Sequence, residues 1–159
     1  MAKKPKSDFQ LIAENKKAYF HYEVLEKLEC GLQLQGTEVK SVRSGQLSFV
    51  DAFVEIKDQQ LFLMKFHISP YAFGNLFNHA AERPRRLLAH KGEINRLYRR
   101  VREKGFTIIP LRIYFKKQYA KMEIGLCRGK KLYDKRETIK ERDIQRQNDR
   151  DIRSAHKGY

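Results

Sequence analysis

Tryptophan is absent from this chain of 159 residues, and cysteine is scarce, with only two residues. Cys30 and Cys127 are almost a hundred positions apart, and each lies within an alternating apolar pattern typical of a strand. Two isolated cysteines exclude both a disulfide scaffold and a CxxC metal site. We therefore expect two reduced thiols that belong to the protein core.

Long hydrophobic runs are also missing. No apolar stretch approaches the ~18 residues that a membrane-spanning helix needs, and no helical segment has the wide apolar face of a surface anchor. The basic start, Met1 to Lys6, is not followed by an apolar segment, so it does not resemble a signal peptide. These absences predict a cytoplasmic protein without a membrane partner.

The motifs of common enzymes are absent as well. The chain has no glycine-rich phosphate loop, no GxSxG elbow, no HExxH helix, and no Cys or His pair at metal spacing. His79 and His90 flank an arginine-rich loop and are the candidates for the acid and base of a nuclease. Histidine in a basic loop is more often a phosphate or base contact, so we expect no enzyme, no metal and no cofactor.

Acidic residues are few, 19 against 34 Lys and Arg, which gives a net charge of +15 and a pI near 9.9. The cations are distributed along the whole chain. Such a balance favours a polyanionic partner, and nucleic acid is the commonest one. The length suits one domain, residues 1–128, followed by a basic tail, residues 129–159.

Alternating apolar residues predict a mostly β domain. Six strands are expected, near 20–29, 32–36, 48–56, 61–66, 109–115 and 120–126. The main helix carries Ile94, Leu97, Tyr98 and Val101 on one face and follows the fourth strand. The connections predict an antiparallel, OB-like barrel, because a small barrel removes exposed strand edges.

Three shorter features complete the predicted domain. A turn of helix is expected within 11–18, and a short helix from Glu38 to Arg43, with Thr37 as its N-cap. Residues 67–86 lack any period, and a loop of this length is more often functional than idle.

The tail carries Arg142, Arg146, Arg150 and Arg153 at spacings of four, four and three. On a helix these arginines would share one face and suit a phosphate backbone. The alternative is a solvated terminus without fixed structure, because a charged segment with few apolar residues does not fold alone.

Several motifs, in combination and order, resemble one known family. They are Asn15-Lys16-Lys17-Ala18, Glu29-Cys30-Gly31 followed by Gly36-Thr37-Glu38-Val39-Lys40-Ser41, Arg85-Arg86-Leu87-Leu88, Lys104-Gly105-Phe106-Thr107, and Gly129-Lys130-Lys131-Leu132-Tyr133-Asp134-Lys135-Arg136. From about Leu11 to at least Arg142, the chain resembles the SsrA-binding small protein B family, the tmRNA-binding partner in bacterial trans-translation.

The resemblance implies an OB-type barrel that grips the tRNA-like domain of tmRNA and delivers it to stalled ribosomes. Elongation factor Tu is implied indirectly, through aminoacylated tmRNA. The implied RNA-binding residues are Asn15, Lys16, Lys17, Glu29, Arg83, Arg86, Leu88, His90, Lys116 and Lys121.

The resemblance also implies a tail that is disordered in the free protein. On the ribosome the tail becomes helical and lies in the empty mRNA channel beside the decoding centre. The implied ribosome contacts are Gly129, Lys130, Lys131, Tyr133, Asp134, Lys135, Arg136, Arg142, Arg146 and Arg150.

Two other functions remain open from the residues themselves. One is a general OB-fold protein that binds tRNA, ribosomal RNA or the ribosome, with the tail as an anchor. The other is an RNA-processing enzyme that uses His79 or His90.

Overall fold

The computed structural model describes residues 8–103 and 105–156, which contain nine strands and four α-helices. The strands are β1 (Phe9–Glu14), β2 (Tyr22–Leu32), β3 (Leu47–Ser48), β4 (Phe53–Lys57), β5 (Gln60–Met64), β6 (His67–Ile68), β7 (Arg85–Leu88), β8 (Phe106–Lys116) and β9 (Tyr119–Gly129). The helices are α1 (Lys16–His21), α2 (Gly36–Arg43), α3 (Lys91–Val101) and α4 (Leu132–His156), and a 3-10 turn spans Asn75–Phe77.

Seven strands form one antiparallel sheet in the order β1-β8-β4-β5-β7-β2-β9. Since β8 also pairs with β9, six of these strands close into a ring, and β1 adds to β8 outside it. The two short strands β3 and β6 pair separately. The predicted mostly β, antiparallel class is therefore confirmed.

The core lies inside this ring of strands. Leu61, Leu63, Ile113 and Met122 are fully buried there, as their alternation along the strands predicts. Helix α3 packs against β8 and buries Leu97, while its charged face remains outside. Each fully buried aliphatic side chain contributes about 1.5–3 kcal/mol to folding.

Both cysteines are free and buried, as predicted. Cys127 belongs to a smaller apolar cluster with Ala18 and Leu111, where α1 packs on β8. Burial raises the pKa of the Cys30 thiol to about 12 and that of Cys127 to about 11. Neither thiol is therefore reactive near neutral pH.

Strand β2 differs from the two strands predicted for this region. It runs unbroken to Leu32, and residues 33–35 form no strand. A bulge between Val24 and Glu26 shifts its register against β9. This bulge explains why Glu26 interrupts the apolar alternation in the sequence.

Strand β7 begins within the last two residues of the segment predicted as a loop, 67–86, and continues to Leu88. Its inward positions are Arg85 and Leu87, so a charged residue stands where the strand pattern requires an apolar one. The ring strands that precede α3 are β2, β4, β5 and β7. Helix α3 therefore follows the fourth strand of the ring, as predicted, although β2 is one strand and β7 was not expected. Strand β1 occupies the first part of the segment 11–18 for which the sequence predicts a turn of helix, and helix α1 begins only at Lys16.

Helix α4 corrects the prediction of a tail that is disordered when free. The structure has one continuous helix from Leu132 to His156. Side chains four residues apart bond along it, with Gln147 donating to Asp151 at 3.1 Å, and Asp134 lies in the first turn, where the helix dipole favours an anion. Each such pair adds about 0.2–0.5 kcal/mol to a helix.

Candidate nucleic-acid interface

Residues from five strands form one row across the outer face of the sheet. The registers pair Leu88 with Gly31, Gly31 with Lys121, Lys121 with Tyr114, and Tyr114 with Leu11. We call these five residues the outer row. Two of the predicted RNA-binding residues, Leu88 and Lys121, thus lie on one face although 33 positions separate them in sequence.

Glu29 links Tyr114 of the outer row to Lys116 on the same strand. Its carboxylate accepts a short hydrogen bond from the Tyr114 hydroxyl and another from the Lys116 ammonium at 3.1 Å. The Tyr114 bond, helped by Lys116, holds the pKa of Glu29 below its ordinary value, against the opposing effect of burial. Burial and the same bond raise the pKa of Tyr114. The Glu29 carboxylate thus orients the Lys116 side chain on the outer face of the sheet.

Gly31 leaves room for Leu88, whose side chain is half exposed. A Cβ built on Gly31 would lie 3.2 Å from the Leu88 Cβ, closer than ordinary van der Waals contact. The glycine therefore lets an apolar side chain lie flat on the outer row. On the same strand Arg86 is also exposed, because it alternates with buried Arg85 and Leu87.

His90 precedes the first residue of α3 and is exposed. Its backbone N–H donates to the Glu93 carboxylate at 3.0 Å, which closes the helix N-terminus. His90 lies two residues after Leu88, the last residue of β7, so the two residues are neighbours in sequence. Its backbone thus has a capping role that the sequence prediction did not include.

Arg83 does not lie free on this face. Its guanidinium forms two bonds of 2.7 Å to the Glu38 carboxylate, and Arg85 adds a third at 2.8 Å. Glu38 and Arg85 are completely buried. Arg83 thus forms an ion pair within the protein, and its contact with RNA stays a prediction.

The Glu38 carboxylate remains charged in this setting. Burial alone would raise its pKa, but the bonds from Arg83, the Gln35 N–H and Arg85 hold it below the ordinary value. Arg85 also donates to the carbonyls of Phe66 at 2.6 Å and Ala81 at 3.1 Å. We call Glu38, Arg83 and Arg85 the buried lock, because they tie α2 to the loop between β6 and β7.

His79 is buried, with both ring nitrogens bonded. The Ile68 carbonyl can only accept, so Nε2 carries the proton and donates to it at 2.9 Å. Nδ1 bonds with the Thr37 hydroxyl at 2.9 Å. Both nitrogens of the ring are thus engaged within the protein.

Asn15 acts as the N-cap of α1. Its side-chain oxygen accepts from the Ala18 N–H at 3.2 Å, and its amide donates to the Pro110 carbonyl at 3.0 Å. Asn15 thus has a structural role within the protein, and its contact with RNA stays a prediction. Lys16 and Lys17 are exposed beside it.

A cleft of about 1060 Å³ opens next to α1 and the start of the tail. Five lysines line it, against two carboxylates from Glu14 and Asp51; the lysines are Lys16, Lys17, Lys65, Lys130 and Lys135. The cleft is therefore basic and suits a phosphate-bearing ligand.

The start of the tail contains two lysines with different surroundings. The Lys130 ammonium donates to the Tyr19 carbonyl at 3.0 Å and to the Thr138 hydroxyl at 3.3 Å, and its backbone N–H donates to the His21 carbonyl. Lys131 is exposed. Lys130 thus joins α4 to α1, whereas Lys131 faces solvent.

The remaining predicted tail residues lie along α4 or at its start. Arg142 stacks over the Phe20 ring at 5.4 Å, which brings the arginine stripe beside α1. The others, apart from partly buried Lys135, are exposed: Gly129, Tyr133, Asp134, Arg136, Arg146 and Arg150. Because α4 is continuous, the arginines share the face that their spacing predicts.

Two structurally decisive residues, Glu38 and Arg85, are not among the RNA-binding residues that the resemblance implies. A buried arginine leaves no periodic signal, because its burial depends on a partner that is distant in sequence. Glu38 is completely buried, which no pattern in the sequence signals.

Two negative findings concern the described residues alone. Among residues 8–103 and 105–156, no helix is long and apolar enough to cross a membrane. The same residues contain no group of three or more His, Cys, Asp or Glu side chains that could hold a metal ion.

An antiparallel β domain with a lysine-lined cleft and an arginine-bearing helix defines a basic nucleic-acid-binding protein. The sequence model of one family, described as SmpB protein, matches residues 12–154. The chain belongs to this SmpB family.

Curated relatives agree with this membership. An SsrA-binding protein of Treponema denticola is 54% identical over 148 residues, which cover 93% of this chain and 96% of the relative. One from Carboxydothermus hydrogenoformans is 52% identical over 147 residues, covering 92% and 99%. A solved structure described as "tmRNA-SmpB: a journey to the center of the bacterial ribosome" matches with a TM-score of 0.65 and 45% identity, over 76% of this chain and 85% of that one.

Proposed function

We propose that this protein binds tmRNA and acts in trans-translation on the ribosome, as an RNA-binding factor for ribosome rescue. The observation that carries this proposal is the similarity to proteins named SsrA-binding protein, at 54% and 52% identity over more than nine-tenths of the chain. The net charge of +15 supports it, because a polyanion such as RNA is then attracted over the whole surface.

The division of labour follows the two segments of the chain. Residues 1–128 act as an OB-like RNA-binding barrel, which the ring of six strands supports. Residues 129–159 act as a separate tail. In this proposal the barrel holds the tRNA-like domain of tmRNA, and the tail senses an mRNA channel that is empty because the message has ended.

The outer row and its neighbours form the RNA surface of the barrel. Leu88 supplies an apolar contact, Lys116 and Lys121 supply positive charge, and Arg86 extends the surface along β7. Glu29 acts through Lys116, which it positions. Lys16 and Lys17 extend the basic surface into the cleft.

The protein performs no bond chemistry in this proposal and needs neither metal nor cofactor. The bonded ring of His79 supports a structural role for that histidine. The protein acts in the cytoplasm, where tmRNA and ribosomes operate. Elongation factor Tu takes part only through aminoacylated tmRNA.

Arg86→Glu combined with Leu88→Ala tests the RNA surface. Both side chains are exposed, so the fold should tolerate the change, while affinity for the tRNA-like domain should fall at least about tenfold. Arg99→Glu, an equal change of charge on the exposed part of α3, is the control. Equal affinity for the double variant and the control would reject this surface.

A further inference from the structure

The loop between β6 and β7 presents a cluster of exposed apolar side chains. Phe73 is 81% exposed, Leu76 97% and Phe77 89%. We call these three residues the apolar tip. Single exposed apolar residues are ordinary, but three bulky ones within five positions mark an interaction site. None of them belongs to the outer row or to the tail.

The apolar tip is held in a fixed conformation. Asn78 bonds both backbone groups of Tyr71, accepting from its N–H at 2.9 Å and donating to its carbonyl at 2.7 Å. The Gly74 N–H donates to the same carbonyl. A Cβ on Gly74 would lie 2.7 Å from the Asn78 amide nitrogen, so the glycine is needed for this close turn.

The base of the loop is anchored in the protein interior. His79 is buried and bonded on both nitrogens, and the buried lock reaches the Ala81 carbonyl through Arg85. Burying the charged groups of this lock costs desolvation energy, which ion pairing and complete hydrogen bonding offset. The loop is thus bonded to the protein interior at its base while its apolar side chains are exposed, which is the arrangement of a preformed contact surface.

The chemistry around the apolar tip fits unpaired nucleotides. Residues 68–81 contain no Asp, Glu, Lys or Arg, so no carboxylate on this segment repels a phosphate. The Lys40 ammonium lies 5.2 Å from the Tyr71 ring centre, and that ring meets Phe73 edge-on at 5.6 Å. Exposed aromatic rings beside a cation form a platform on which bases stack while the phosphate is neutralised.

We propose that the apolar tip, with Lys40, is a second RNA contact of this protein, which stacks unpaired bases on Phe73 and Phe77. It is separate from the outer row that binds the tRNA-like domain. The inference rests on the proposed function only in taking RNA as the partner. Its failure would leave the contact with the tRNA-like domain untouched.

The absence of tryptophan from the chain allows a direct test with the full protein. Phe77→Trp introduces a single reporter at the tip, and Tyr98→Trp on α3 is the control at another exposed aromatic position. The probes are a single-stranded oligoadenosine RNA and an abasic strand of equal length. Stacking should quench the fluorescence of Phe77→Trp with the oligoadenosine strand alone, and Tyr98→Trp should respond to neither.

A second measurement uses the loss of the rings. Phe73→Ala with Phe77→Ala should weaken oligoadenosine binding about tenfold or more and leave binding to the tRNA-like domain unchanged. Equal quenching by the abasic strand, or no quenching by either, would overturn the proposal. A spectral change that grows with protein concentration in the absence of RNA would assign the tip to a second copy of the chain and would also overturn it.

Discussion

Glu38 is the residue on which the geometry of the β6 to β7 loop depends. It is completely buried and holds Arg83 and Arg85 together, and the same two arginines lead into Arg86 and Leu88 on β7. One carboxylate therefore orients a strand that carries two exposed residues of the proposed RNA surface.

Glu38→Gln should destabilise the protein by about 3–5 kcal/mol, because two guanidinium groups then lose their buried counter-charge. Urea unfolding followed by circular dichroism measures the change. Glu103→Gln, which removes an exposed ion pair with Arg100, should cost less than about 1 kcal/mol. Similar losses in the two variants would show that the buried lock does not stabilise the fold.

The difference in stability between the native chain and Glu38→Gln should depend on pH. The pKa of Glu38 lies below its ordinary value of 4.5 in the folded state, so its contribution is present above that pH and is lost as the pH falls through the folded value. We expect the difference between the two proteins to shrink below about pH 4.5. Unfolding curves from pH 7 to pH 3 measure it, and a constant difference contradicts the ionised state of Glu38.

At the residue scale, the resemblance to a known family selects the candidate RNA-binding positions, and only the fold shows what each side chain contacts. Leu88, Lys116, Lys121 and Glu29 come together on one face, as a shared surface requires. Arg83 lies in an equally basic motif but turns inward to Glu38. An arginine beside an apolar pair can turn inward to a buried carboxylate or outward to solvent. Only the fold decides between these two orientations.

At the scale of elements, α4 differs most from expectation, and its attachment to the rest of the protein is small. Lys130 bonds the Tyr19 carbonyl and Thr138, and Arg142 rests on Phe20. These contacts join the first turns of α4 to α1. The rest of the helix is exposed, so its direction depends on this attachment.

Lys130→Met should therefore broaden the range of α4 orientations, while Lys131→Met should not. Spin labels on Lys57→Cys and Gln147→Cys, measured by electron–electron double resonance, report the distance distribution. The native thiols, with pKa values raised by burial, should remain unlabelled at neutral pH. Equal widths for the two lysine variants would show that Lys130 does not set the direction of the tail.

Elements with an uninterrupted apolar period were predictable from sequence. Helix α3 and the β8 to β9 hairpin match their predicted positions, and the Lys117 turn takes the positive φ that a tight connection uses. Strand β7 was not predictable, because the inward Arg85 owes its place to Glu38, 47 positions away. Local patterns do not report such pairs.

On the scale of the whole molecule, the proposed function assigns RNA binding to the barrel and channel sensing to the tail. Truncation after Gly129 removes α4 but leaves every strand and the outer row in place. We expect nearly unchanged affinity for the tRNA-like domain and complete loss of nascent-chain tagging on stalled ribosomes. A filter-binding assay and a reconstituted tagging reaction measure the two effects. Loss of RNA binding in the truncated protein would contradict this division.

We propose that this protein of the SmpB family recognises the shape of the tRNA-like domain and not merely its charge. The most direct measurement is binding of the full chain to the tRNA-like domain of tmRNA, with an ordinary alanine tRNA as competitor, over a series of salt concentrations. We predict a clear preference for the tmRNA domain that survives physiological salt. Equal binding of both RNAs, with affinity that falls steeply as salt rises, would contradict shape-specific recognition of the tRNA-like domain.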